Sequence, residues 1–316
     1  MTLLMRKAKS SLITLTTLAL TAAFAQTAQA QAKGEGPLVL RLPSSAHSLA
    51  IANAGIVSTD GDAMFYNPGM LASVRGSAVS LQRYGSHGTS GSMATTSTAG
   101  TMTVGIGAQF VSYAASVGAT YADVMKSGGT RLSDSGGVAA SSTALTFGFA
   151  KTIKGFRLGA NVKYAEDRLG ARHDGVVAFD IGMNRALGPG TVGFVVQNLG
   201  AGPRIDGIKG TLPRRIGIGW GASRAISEQF DFGGQAALTL EDELFVRPAG
   251  GVELGFVPIE GVSFIARTGL RLPRERDESL VTAGLGVLID RIAVDYALEP
   301  MRGGRPISHR LGVRIR

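Results

Sequence analysis

The sequence predicts an all-β fold: an antiparallel transmembrane β-barrel of about 14 strands, preceded by a shorter segment that is not part of the barrel wall. Three observations lead there. The chain opens with an export signal. Most of the remainder alternates apolar and polar residues with period two. Glycine supplies 45 of 316 residues, about twice the usual share.

The export signal comes first in the chain. Arg6, Lys7 and Lys9 form a positive n-region, Leu12 to Phe24 form a short apolar stretch, and Ala28-Gln29-Ala30 supplies the small residues that signal peptidase accepts. A membrane-spanning helix wants about 20 predominantly apolar residues, and here the apolar run gives way to Gln26, Thr27, Gln29 and Gln31. Residues 1–30 are therefore expected to be a cleaved signal peptide. Their removal takes away three positive charges and no negative ones, so the formal charge falls from +9 to +6. The remaining basic residues are scattered, which does not suit nucleic acid. In an exported chain they suit a pore lining or contact with anionic lipopolysaccharide. The chain has no cysteine, which excludes both a disulfide framework and a lipoprotein anchor.

Residues 31–76 do not alternate. Ala46 to Gly55 is a run of small residues, Asp60-Gly61 is turn chemistry, and Asn67-Pro68 keeps Asn67 out of the helical region and breaks the chain. Such a segment tolerates close packing and could fit inside something narrow. It is too Gly/Ala-rich and polar to bury a core of its own, yet too apolar around Met64-Phe65-Tyr66 to stand free in water.

From residue 77 onward, period two dominates. Phe156–Tyr164 places Phe156, Leu158, Ala160, Val162 and Tyr164 on one face and Arg157, Gly159, Asn161 and Lys163 on the other. Val177–Asn184, Arg215–Ala222, Val262–Arg271 and Arg291–Leu298 repeat the pattern. Candidate strands are 77–85, 90–98, 101–113, 141–152, 156–167, 175–187 and 191–198, then 213–224, 229–240, 245–256, 262–272, 279–289, 291–299 and 308–316. Turn signals such as Lys154-Gly155 and Gly188-Pro189-Gly190 join many of them closely, so neighbours should be antiparallel hairpins. Longer links are expected at 114–140, 168–174, 199–212 and 300–307. Short turns at one end and long loops at the other are the habit of outer-membrane barrels.

A soluble β-sandwich alternates too, but its water-facing side favours Thr, Lys, Glu and Ser. Here the polar faces carry glycine and isolated charges of both signs: Arg157, Lys163, Asp180, Arg215, Glu253, Arg267, Arg271 and Asp295. Small residues and paired charges suit a confined, wet lumen, so these eight are the candidate lumen-facing residues. Aromatics near strand ends (Tyr113, Phe156, Tyr164, Phe245, Phe256, Tyr296) fit an interfacial girdle.

Enzyme chemistry finds little support. His47, His87, His173 and His309 have no metal-ligand spacing, and no G-x-S-x-G elbow occurs. The glycines at 217, 219 and 221 and at 284 and 286 lie inside alternating strands with no helix following, which excludes a phosphate loop. The charge runs Glu241-Asp242-Glu243 and Arg274 to Glu278 sit at turns and are expected to be solvated. No catalytic residue, cofactor or metal is expected.

The string from Ser45 to Leu71 (SAHSLAIANAGIVSTDGDAMFYNPGML) resembles the N-terminal signature of FadL-type outer-membrane transporters, closest to their PorV/PorQ-like branch. Lys163-Tyr164, Val196-Gln197-Asn198-Leu199-Gly200, Asp295-Tyr296-Ala297-Leu298 and His309-Arg310 are similar to further family positions, so the resemblance spans nearly the whole exported chain. It implies a fourteen-stranded barrel at 77–316, with 31–76 folded into the lumen as a plug. Asp60, Asp62, Tyr66, Asn67 and Pro68 would form the plug motif. It also implies passage of hydrophobic small molecules, such as long-chain fatty acids, across a bacterial outer membrane, with lipid and lipopolysaccharide as surroundings. The PorV-like branch implies a second role, shuttling secreted proteins with type IX secretion-system partners, and a structural barrel without cargo is a third. The sequence departs from the family at Pro68-Gly69-Met70, where Pro-Ala-Gly is usual, at Ala50-Ile51-Ala52-Asn53, where Ala-Leu-Gly-Gly is usual, and at its final Arg316, where an aromatic often stands.

Overall fold

The computed structural model describes residues 34–84, 88–115, 138–169, 172–205, 208–274, 278–300 and 307–315. The expected signal peptide lies outside the described residues. The first seven barrel strands are β1 (Gly76–Tyr84), β2 (Gly88–Ala99), β3 (Met102–Ala115), β4 (Val138–Ile153), β5 (Phe156–Leu169), β6 (Arg172–Leu187) and β7 (Gly190–Gly200). The other seven are β8 (Arg215–Ala225), β9 (Phe230–Glu241), β10 (Phe245–Ile259), β11 (Val262–Arg271), β12 (Val281–Ile289), β13 (Ile292–Glu299) and β14 (Ser308–Ile315). Each pairs antiparallel with its sequence neighbour, and β14 pairs with β1 from Ser308↔Tyr84 to Ile315↔Ser77, so the fourteen strands close into a barrel. Closure leaves no unpaired edge, which a sheet in lipid requires.

The alternation read from the sequence becomes two faces. Leu145, Phe147, Leu158, Ile181, Ile218, Phe264, Leu285 and Leu311 all point outward and are exposed, whereas Asn161, Lys163, Asp180, Arg267 and Arg310 between them are buried. An exposed apolar surface on all strands but β7 is far larger than a water-soluble monomer exposes and is matched to hydrocarbon. Among the described residues no helix is long and apolar enough to cross a membrane; the crossing falls to the strands.

The two ends of the barrel differ. Tight links at 100–101, 154–155, 188–189, 226–229, 260–261 and 290–291 all lie at the end where β1 begins and β14 finishes. Lys154 and Gly155 both take positive φ (50° and 81°), the geometry of a hairpin turn that matches strand twist. The opposite end, called here the loop end, carries the longer links. Two expectations are corrected there. The link expected at 168–174 is short, because β5 runs to Leu169 and β6 starts at Arg172, pairing Asp167↔Asp174 and Arg168↔His173. Those charged residues read as loop, yet a ladder that rises past the lipid can keep polar side chains in water. The link expected at 199–212 contains two short strands, Arg204–Ile205 and Ile208–Thr211, which form a three-stranded sheet with Gly34–Glu35.

Between Gly36 and Val74 the chain makes single 3₁₀ turns at Leu38–Leu40, Gly55–Val57 and Ala63–Phe65, a longer one at Pro68–Ser73, and one short helix, α1 (Ala46–Ala50). Ser45 caps α1 by accepting from the Ser48 amide. α1 packs on β11 to β14, Gly55–Val57 on β7 to β9, and Pro68–Ser73 on β3 to β6. The segment thus meets the inward face of the wall on nearly every side. It comes close enough to account for several wall glycines. A Cβ at Gly159 would overlap the Pro68 carbonyl, one at Gly182 the Asn67 side chain, and one at Gly251 would sit 2.5 Å from the Ile51 Cβ.

Candidate functional site

The Tyr66-Asn67-Pro68 turn is built into the wall. Asn67 is fully buried; its Oδ1 accepts from the Gly69 amide (2.9 Å), and its Nδ2 donates to the carbonyls of Ile56 (3.1 Å) and Met183 on β6 (3.4 Å). Pro68 follows at the first position of a 3₁₀ turn, where a missing N–H costs nothing. The Tyr66 hydroxyl accepts from the Ser44 amide at 2.9 Å. From the wall, Asn161 donates to the Met64 carbonyl and Gln197 to the Phe65 carbonyl, both at 2.9 Å. These bonds satisfy backbone groups that the irregular segment would otherwise bury unpaired.

A chain of charges ties the segment to the opposite half of the barrel. Asp60 pairs with His47 and with Arg314 of β14. His47 Nε2 lies 3.1 Å from Glu253 on β10. Arg267 on β11 donates to both Glu253 and Asp295, each at 2.7 Å, and Arg314 reaches Asp295 on β13 at 2.5 Å. Six groups on five elements thus share one connected lattice. Asp62 is buried beside Asp60.

The other sequence-selected residues also occupy the inward face, in separate pairs. Lys163 contacts Asp180 at 2.7 Å. Asp180 sits at a register shift between β6 and β7, where its carboxylate accepts from the Asn198 amide (2.9 Å) in place of a ladder carbonyl. Arg157 donates to Asn184 (2.9 Å), Arg271 pairs with Glu299, and Arg215 lies 3.7 Å from Glu241. Sequence reasoning passed over Arg314, Glu299 and the structural role of His47, and noted Arg310 only within the family-like His309-Arg310 pair, not as a lumen-facing candidate. The period-two pattern of Ser308–Ile315 does place Arg310 and Arg314 on one face, and that was the available signal.

At the loop end, Glu241 gathers Arg215, Arg247 and Arg274, and Arg247 also pairs with Glu278 at 2.8 Å. Burial raises the pKa of the neighbouring Asp242 carboxyl, opposed by the charges of Arg274 and Arg41. Just inside this rim lies an apolar compartment. Val111, Ala144, Ala165, Val176, Ala178 and Leu212 enclose Leu38, Val39 and Leu40 of the segment, with Leu42 and Tyr113 alongside. The arrangement offers a polar wall, an apolar compartment within it, and a segment fastened by ion pairs on one side and amide bonds on the other.

No family model matches the chain, and no curated protein matches it in sequence. Solved structures do share its fold. The toluene transporter TodX of Pseudomonas putida superposes with a TM-score of 0.51 at 10% identity, covering 90% of this chain and 98% of that one. A FadL homologue of Pseudomonas aeruginosa gives 0.54 at 10% identity, over 89% and 99% of the two chains. The monoaromatic hydrocarbon channel CymD gives 0.53 at 10% identity, over 89% and 96%.

Proposed function

We propose that this chain is an outer-membrane channel for uptake of hydrophobic small molecules, closed in this conformation by residues 36–74. The observation that carries the reading is the apolar compartment beneath the loop-end rim, enclosed by apolar side chains of β3 to β6 in a wall whose inward face also carries buried charges. A pore for ions or sugars has no use for it, whereas an apolar molecule leaving water gains roughly 25 cal/mol for each Å² it buries there. The fold is that of TodX, CymD and a FadL homologue, of which the first is described as a toluene transporter and the second as a monoaromatic hydrocarbon channel. The outward apolar band and the export signal support an outer-membrane location with lipid and lipopolysaccharide around it. Asp60, Asn67 and Pro68 act as the fastenings of the plug to the wall. Tyr66 braces the segment internally through Ser44, Asp62 is buried beside Asp60, and the eight charged wall residues line its seat. Bacterial cells carrying the protein in a lipopolysaccharide-covered outer membrane, which slows apolar solutes, should take up labelled toluene or oleate faster than matched cells without it; equal rates would reject the proposal. The PorV-like reading rests on the Ser45–Leu71 string, and would show instead as co-purification with secretion-system components and no uptake.

A further inference from the structure

The charges that tie the segment to the wall close on themselves. Asp60 meets Arg314, Arg314 meets Asp295, and Asp295 meets Arg267. Arg267 in turn meets Glu253, Glu253 meets His47, and His47 returns to Asp60. The six groups alternate in sign around the ring, so each touches two of opposite charge. His47 on α1 and Asp60 belong to the segment, and the other four stand on β10, β11, β13 and β14. The ring crosses from segment to wall at two joints, Asp60–Arg314 and His47–Glu253.

Three anions and three cations balance only while His47 is charged. Its Nδ1 faces Asp60 and its Nε2 lies 3.1 Å from Glu253, so each ring nitrogen needs a proton to present to a carboxylate. With one proton gone, a lone pair faces a carboxylate oxygen and the ring keeps a buried surplus of negative charge, which is costly. Arg267 and Arg314 cannot lose theirs, because a guanidinium stays protonated in proteins. His47 is therefore the cation of the ring that titrates. The other charges around α1 offer no replacement. Asp62 is a further buried carboxyl beside Asp60. Arg310 on β14 is committed to Ser80, Gln82 and the Pro43 carbonyl, and Arg271 on β11 pairs with Glu299 on β13. From β12, Thr282 meets the end of α1 with a neutral hydroxyl, bonded to the Ala50 carbonyl and the Ala52 amide.

We propose that this ring is a proton-operated lock: the segment stays seated while His47 is an imidazolium and comes loose, reversibly, when that proton leaves. The lock rests on the reading that residues 36–74 close the passage, and it adds a control that does not depend on cargo. Burial and Arg267 favour the neutral imidazole, but Asp60 and Glu253 outweigh them and hold the His47 proton up to about 9. In water a histidine releases it at about 6.5. The seated segment thus binds the proton more tightly than the free one does. The proton's contribution to seating is complete below about 6.5 and is lost as pH climbs through about 9.

Vesicles that carry the protein and trap labelled sucrose report on the lock. Release should run at least about tenfold faster at pH 10 than at pH 6, over protein-free vesicles, and should fall back when the pH is returned. Equal release at the two pH values overturns the proposal. His47→Lys keeps a cation between the two carboxylates over most of this range and should abolish the rise. His47→Gln cannot titrate and should release sucrose at one rate throughout. A rise that persists in either variant overturns the lock, and if one variant does not assemble the other decides. Ser58 is buried beside Asp60, whereas Ser227 is exposed in a tight turn. Maleimide labelling of S58C, normalised to S227C to cancel thiol ionisation, should rise with pH in the same way. If deleting residues 44–72 leaves sucrose release unchanged, the closure reading fails by itself. The lock is then judged on S58C alone: a rise with pH that His47→Lys abolishes upholds it, and any other result rejects it.

Discussion

Arg314→Met should loosen the segment without dismantling the wall. The Arg314 guanidinium is almost fully buried between Asp60 of the segment and Asp295 of β13. Removing one partner of a buried pair leaves an uncompensated charge, at about 3–5 kcal/mol. Here both abandoned carboxylates keep a second partner: Asp295 keeps Arg267 at 2.7 Å, and Asp60 keeps His47. The expected cost is therefore at the lower end, about 3 kcal/mol. Adding Asp60→Asn to Arg314→Met should recover part of the loss, because one of the two stranded charges disappears with it. Urea unfolding of protein refolded into lipid vesicles can follow Trp220, the single tryptophan, on the outward face of β8. Maleimide reactivity of a cysteine at Ser58 reports on the segment itself. If Arg314→Met unfolds within about 0.5 kcal/mol of the parent, the ordinary range for surface changes, and Ser58→Cys stays protected, the charge lattice does not hold the segment.

Other outcomes follow from the same geometry. Ile218→Arg, on the outward apolar face, should cost about 2–4 kcal/mol at the bilayer midplane, whereas Arg215→Leu, only loosely paired with Glu241, should cost much less in the same titration. Gly182→Val should displace the Asn67 side chain and cost about 1–3 kcal/mol, as overpacking does, with leakage of a polar dye through the reconstituted barrel as second readout. Cysteines at Leu158, Val162, Ile218 and Phe264 should react with a lipid-soluble probe and resist a water-soluble maleimide; equal labelling by both would argue against a lipid-facing wall. N-terminal sequencing of protein from membranes should begin at Gln31, and a start at Met1 would refute cleavage after Ala30.

Much of this fold was legible because a barrel wall is a local code. Each strand states its two faces by period two, and each tight turn except 226–229 announces itself by glycine, proline or aspartate. Even Gly88–Ala99, small and polar, forms its strand, since β1 and β3 flank it and supply the ladder. The glycine on the polar faces was legible as a composition, and at many positions its cause is the close approach of the segment, by backbone at Gly159 and Gly269 and by side chains at Gly107, Gly182, Gly217 and Gly219. The partners within the site were not legible. Asp60 and Arg314 are 254 positions apart, and their meeting depends on barrel closure and register, which no local pattern encodes. The small sheet at 204–211 was hidden for a related reason: its third strand is residues 34–35, far upstream. The extension of β5 and β6 to Leu169 and Arg172 was masked by charges that look like loop but stand on strands above the lipid.

The central claim is that the barrel is a passage and that residues 36–74 close it. Deleting residues 44–72 tests this directly, because the strand ladder from β1 to β14 does not depend on them. The variant should assemble as a heat-modifiable barrel in the membrane and admit a small polar dye or antibiotic that the intact protein excludes, since a closed barrel of this strand number leaves an interior that wall side chains alone do not fill. Full assembly with unchanged permeability would contradict the account, and would make the segment an ornament of the barrel instead of its plug.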